Sequence, residues 1–208
     1  MHTRLSRRTV ALVGPVSLVT FGRSAGSFAQ TPSASPAGRP NDITSLEQRI
    51  AVTTPADLIA TLGDSTIESP LFPADVGPLQ IAPWQDDADV EGAQGAFQIV
   101  GTGDYLLIGA YVVYPDAETA TTTLEDSAAS TEGPGLSTVV GLPSTSFIGN
   151  FGPVTQLQVG PVLIWGFGLP PSSDVTASSG ALQDLTRYQL QAMSFAVALL
   201  DHLNESTK

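Results

Sequence analysis

Ala96-Phe97-Gln98-Ile99-Val100-Gly101-Thr102-Gly103-Asp104-Tyr105-Leu106-Leu107-Ile108-Gly109-Ala110-Tyr111-Val112-Val113-Tyr114 is the stretch that decides the fold. Residues 96–100 and 105–114 are apolar and rich in β-branched and aromatic side chains, so both halves read as strands. Residues 101–104 between them read as a hairpin turn, because glycine reaches the backbone angles that a tight reversal needs. This Gly-x-Gly is not a phosphate loop. A strand follows it, where a phosphate cradle needs the N-terminus of a helix.

Working outward, Leu79-Gln80-Ile81 alternates in polarity, and residues 136–140, 144–151, 154–159 and 162–167 form further short apolar runs. Gly and Pro separate them at intervals that favour antiparallel pairing. Helical signals flank these strands. Thr54 can cap a helix, Pro55 suits its first position, and Gly63 follows the apolar Leu58, Ile59 and Leu62. Leu46 and Ile50 predict an earlier turn or two. Ala117, Ala120, Leu124 and Ala128 follow helical spacing, although the threonines among them lower the propensity.

The C-terminal segment carries the strongest helical pattern. Leu182, Leu185, Tyr188, Ala192, Phe195, Leu199 and Leu203 make one apolar stripe. Leu190, Met193, Val197 and Leu200 widen it, which predicts a helix buried on more than one side with Met193 and Phe195 in the core. The order predicts an α+β domain over residues 42–208. Its antiparallel sheet has about five to seven strands covered by helices, with a long C-terminal helix.

Residues 1–29 read as a signal peptide instead of structure. Arg4, Arg7 and Arg8 precede an apolar run over residues 10–21, too short for a membrane span of roughly 20 residues. Ser27-Phe28-Ala29 then offers small residues for cleavage before Gln30. The pair Arg7-Arg8 between Ser6 and Thr9 matches the twin-arginine type, which exports folded proteins; an ordinary secretory signal is the alternative. Residues 30–41 are Pro/Ser-rich and read as a flexible linker. The expected location is extracytoplasmic, with no stable membrane insertion after cleavage.

Removing the signal takes four of the eight basic residues and none of the 20 acidic ones, leaving Arg39, Arg49, Arg187 and Lys208 and a formal charge of −16. No Lys, Arg or His occurs between Ile50 and Thr186. Such a surface repels phosphate backbones, so no nucleic-acid partner is expected. The chain has no cysteine, which excludes disulfides, thiolate metal sites and cysteine nucleophiles.

Catalytic signatures are equally sparse. His202 is the one histidine past the signal, expected on the surface near the end of the last helix, so a Ser–His–acid triad lacks a well-placed imidazole. Lys208 is terminal, and no Gly-x-Ser-x-Gly elbow occurs. Paired carboxylates remain as potential hydrolytic groups. Trp84 can stack on a sugar or anchor a sheet edge. Asp86-Asp87-Ala88-Asp89-Val90-Glu91-Gly92 is the densest acidic stretch. Asp87, Asp89 and Glu91 fit the first half of a Ca²⁺ loop, with Gln98 where the bidentate Glu belongs; the competing reading is a solvated acidic loop.

The set Ser69-Pro70-Leu71-Phe72-Pro73, Gly95-Ala96-Phe97, Tyr111-Val112-Val113-Tyr114-Pro115-Asp116 and Gly160-Pro161-Val162-Leu163-Ile164 before a long closing helix resembles a family of secreted bacterial proteins of unknown function. The order of elements is similar to the extracellular sensor domains of bacterial serine/threonine kinases and to related small lipoproteins. The resemblance implies the fold and carries no functional residue. The resulting expectation is an exported, cofactor-free binding or interaction module for a small molecule or protein. A carboxylate-dependent hydrolase acting on a neutral or cationic substrate is the alternative.

Overall fold

The computed structural model describes residues 41–63, 66–72, 79–84, 90–101, 107–130, 135–149, 152–168 and 181–208. All fall within one compact unit, Gly38–Lys208. The signal and most of the linker, the turn residues 102–104, and Asp87 and Asp89 lie outside the described residues.

Two helices open the unit, α1 (Asn41–Val52) and α2 (Pro55–Leu62). Thr54 caps α2 as its sequence predicts: its side chain accepts from the Asp57 amide, and Pro55 occupies the first turn. Four strands follow, β1 (Thr66–Ile67), β2 (Leu79–Pro83), β3 (Gly95–Val100) and β4 (Gly109–Val113). Helix α3 (Ala117–Ser130) leads to β5 (Leu136–Val139), β6 (Leu142–Gly149), β7 (Gly152–Val159) and β8 (Val162–Phe167), and α4 (Ala181–Ser206) closes the chain.

The strands form one antiparallel sheet in the order β1-β2-β3-β4-β8-β7-β6-β5. The α+β class and the long final helix agree with the sequence reading. The count does not: the described residues form eight strands, against the expected five to seven. The extra one is β1, whose two residues pair with Gln80 and Leu79. Two residues carry no readable alternation, so only the pairing reveals the strand.

The sheet is two antiparallel meanders joined through their last strands, β4 and β8. Helix α3 carries the chain from β4 at the centre to β5 at the far edge. The central strands are buried on both faces, whereas β5 is largely exposed. On one face, α1, α2 and α4 cover the main core of Leu46, Leu58, Tyr111, Leu157, Ile164, Phe195 and Leu199. On the other, Ala120 and Leu124 of α3 pack on Val112, Tyr114 and Leu163. Each fully buried Leu or Phe side chain contributes roughly 1.5–3 kcal/mol.

Helix α4 approaches the sheet to backbone contact. Gly109 and Gly166 are register partners, and a Cβ on Gly166 would lie 2.0 Å from the Ala192 carbonyl oxygen. A Cβ on Gly168 would lie 2.0 Å from the Tyr188 carbonyl oxygen. Seated this close, α4 buries a single stripe. Leu190 and Met193 stand on its outer side at 60% and 36% exposure, which corrects the expectation that Met193 is core. No helix among the described residues is long and apolar enough to cross a membrane.

Candidate functional site

Among the described residues, open clefts on both sides of the sheet hold polar chemistry. The first lies beside α4 and β1, with a volume of about 500 Å³, and is lined by Thr66, Glu68, Ser69, Asp201, His202 and Glu205 among others. Its imidazole is not the surface group that the sequence predicts. His202 is half-buried, and both ring nitrogens are engaged. Nδ1 lies 3.0 Å from the Tyr111 hydroxyl, and Nε2 lies 3.2 Å from the Ser206 hydroxyl.

The network assigns the protons. The Tyr111 hydroxyl donates to the Leu199 carbonyl at 2.7 Å, so its oxygen accepts from Nδ1–H of His202. Nε2 then accepts from Ser206. No lone pair of the ring is left for a substrate or a metal, and burial holds its pKa below the ordinary 6.5. The Asp201 carboxyl moves the other way, raised by partial burial and then by the neighbouring Glu205. Among the described residues no group of three or more His, Cys, Asp or Glu side chains is arranged to hold a metal ion.

The second cleft, about 400 Å³, lies on the α3 side over the middle of the sheet. Trp165 of β8 and Tyr114, just past β4, line it together with Val90, Glu91, Thr123 and Asp126. The alternation of β8 turns Leu163, Trp165 and Phe167 to this face. Trp84 meets Trp165 edge to face at 6.3 Å, and Phe167 stands 6.1 Å from Trp165 on the other side. Trp84, just past β2, is partly buried against Trp165.

Three buried polar atoms gather on this side. Trp165 Nε1, Tyr114 OH and Gln156 Oε1 are all buried without a hydrogen-bond partner. Gln156 is the register partner of Trp165 and shares its face. Two residues along β7, the Gln158 amide donates to the Ala117 carbonyl, the Thr121 hydroxyl and the Gly160 carbonyl. The Gln158 amide nitrogen is fully engaged, whereas the Gln156 amide oxygen is bare. Burial raises the Tyr114 pKa, with a smaller lowering from nearby Thr123. Thr123 Oγ1 donates its own proton to the Thr119 carbonyl at 3.0 Å, and the nearby Tyr114 hydroxyl makes no bond of normal geometry.

Of the three proposed Ca²⁺ ligands, Glu91 is exposed in the turn before β3, on the rim of this cleft. Asp87 and Asp89 lie outside the described residues. Sequence reasoning missed Tyr114, Gln156 and Trp165 because each reads as an ordinary strand residue. Their common face emerges only from the pairing of β4, β8 and β7.

The chain matches no protein-family model, no curated protein and no solved structure. What the site can do therefore rests on its own chemistry.

Proposed function

We propose that this chain is exported and acts outside the cytoplasm as a cofactor-free binding module, with its ligand seated in the α3-side cleft. The observation that carries the reading is the pair of bare polar atoms on Trp165 and Tyr114, both of which line the cleft, with a third on Gln156 beside Trp165 in the sheet. A buried polar group without a partner costs about 1–3 kcal/mol, and a ligand that supplies the missing partners recovers part of that cost. The cleft volume of about 400 Å³ falls in the range of small-molecule sites, which combine an apolar wall with a few polar groups.

A fragment panel of mixed chemistry, mapped by ¹H–¹⁵N NMR, tests the reading. Hits should move the Trp165 indole N–H and the Gln156 side-chain amide before any resonance of α4. Hits confined to the α4 cleft, or none at all, would remove the α3-side cleft as the binding site. Export is tested separately: with Arg7 and Arg8 both changed to Lys, full-length precursor should accumulate inside the cell.

The hydrolase reading is favoured by one observation, the Asp201 carboxyl raised beside Glu205 in the α4 cleft. It requires that Asp201→Asn abolish turnover of a nitrophenyl glycoside or ester while leaving fragment binding at Trp165 untouched.

A further inference from the structure

Resting on the α3-side cleft as the binding site, we infer that its ligand is a neutral saccharide unit, held by the Trp165 indole, the Tyr114 hydroxyl and the carboxylates of Glu91 and Asp126 that line it. Each missing partner narrows the chemistry. The Trp165 indole N–H only donates, so the ligand must present an acceptor. The Glu91 and Asp126 carboxylates only accept, so the ligand must present donors, and the Tyr114 hydroxyl takes either. A hydroxyl supplies both roles from one group, and adjacent sugar hydroxyls supply them at several points.

Charge narrows it further. Glu91 and Asp126 flank the cleft, no Lys, Arg or His occurs between Ile50 and Thr186, and an anion is repelled. A simple ammonium compound satisfies the carboxylates but has no acceptor for the indole N–H. A sugar ring offers an apolar face to the Trp165 indole and hydroxyls to the carboxylates at once.

A peptide fits poorly for a topological reason. Extended peptides take much of their affinity from free backbone groups at a sheet edge. This cleft lies over β4 and β8, which have neighbours on both sides, so their backbone offers a peptide nothing to pair with.

The chain provides its own reporter: Trp165 lines the cleft, and Trp84, the other of its two tryptophans, is a ring-contact neighbour of Trp165. The experiment titrates the full chain with cellotriose, N-acetylchitotriose, choline and triglycine and follows tryptophan emission. At least one trisaccharide should change the emission saturably. Trp165→Phe keeps the ring but removes the N–H, and should weaken that binding about tenfold, the effect of one lost hydrogen bond. Asp126→Asn, at an exposed position, should alter it less than about threefold, because the amide still accepts from hydroxyls.

Saturation by choline, weakened about tenfold in Asp126→Asn, would overturn the saccharide and leave the cleft as a cation site. A response to triglycine alone would overturn it in favour of a peptide. Silence towards all four probes would also overturn it, while the binding-module reading would fall only if the mixed fragment panel failed as well.

Discussion

The phenol of Tyr111 and the imidazole of His202 meet at 3.0 Å across 91 positions of chain, joining the centre of β4 to the last turns of α4. Tyr111 is fully buried, so its hydroxyl has no recourse to water. It spends its proton on the Leu199 carbonyl and its lone pair on His202. This polar bridge lies within an otherwise apolar helix–sheet interface, and it fixes α4 in register against the sheet.

Tyr111→Phe should therefore destabilise the domain by about 1–3 kcal/mol, since Nδ1 of His202 and the Leu199 carbonyl lose their shared partner without gaining space for water. Urea unfolding measures the loss. A change below about 0.5 kcal/mol would mean that the bridge contributes nothing net.

His202 makes stability depend on pH, and burial sets the sign. Its folded-state pKa lies below the ordinary 6.5, so on acidification the unfolded chain takes up the proton first. Its stabilising contribution is complete above pH 6.5 and is lost as pH falls from there through the depressed value. Asp201 works in the opposite sense. Its carboxyl lies above the ordinary 3.8, so the folded state binds its proton first and stability is regained on descent from that raised value towards 3.8. Denaturation of the parent chain and of His202→Gln across about pH 5 to 8 should converge at the acidic end and diverge at the alkaline end. Parallel profiles would show that His202 does not titrate in this window.

Gly166→Ala should be among the costliest small substitutions in the domain. The added Cβ lands 2.0 Å from the Ala192 carbonyl oxygen and 2.6 Å from the Ala196 amide nitrogen. Both are helix backbone, which cannot swing aside, so α4 must lift off β8. The loss should reach or exceed the roughly 1–3 kcal/mol of ordinary overpacking. Gly63→Ala is the control, at φ −69° with its nearest neighbour at 3.3 Å, and should stay within about 0.5 kcal/mol. Thermal unfolding of the two variants checks the contrast.

Val140→Asn should stabilise the protein. Val140 and Gly141 connect β5 to β6 with φ of 46° and 82°, the two positive values of a type I′ turn. A β-branched residue is strained there, whereas Asn-Gly is the preferred pair for this turn. At 40% exposure Val140 gives up little packing, so a gain of about 1 kcal/mol is expected. A loss of stability would mean that the Val140 side chain contributes more than its strain removes.

The sequence by itself determined the features that depend on neighbours along the chain. The Thr54 cap needs only Pro55 and Asp57. The stripe through Ala192, Phe195, Leu199 and Leu203 repeats at helical spacing, and the short apolar runs broken by Gly and Pro announce an antiparallel sheet. Tertiary structure alone decided which parts of those elements meet. The strand Thr66–Ile67 exists only because Gln80 and Leu79 pair with it. Met193 stays outside because the glycines of β4 and β8 seat α4 so closely that one stripe fills the contact. His202 turns inward because a hydroxyl 91 positions earlier meets it. Tyr114, Gln156 and Trp165 share a face because β4, β8 and β7 lie side by side. Periodicity along a chain reports which residues seek burial, but it carries no information about which distant residue buries them, and both clefts are built from those distant encounters.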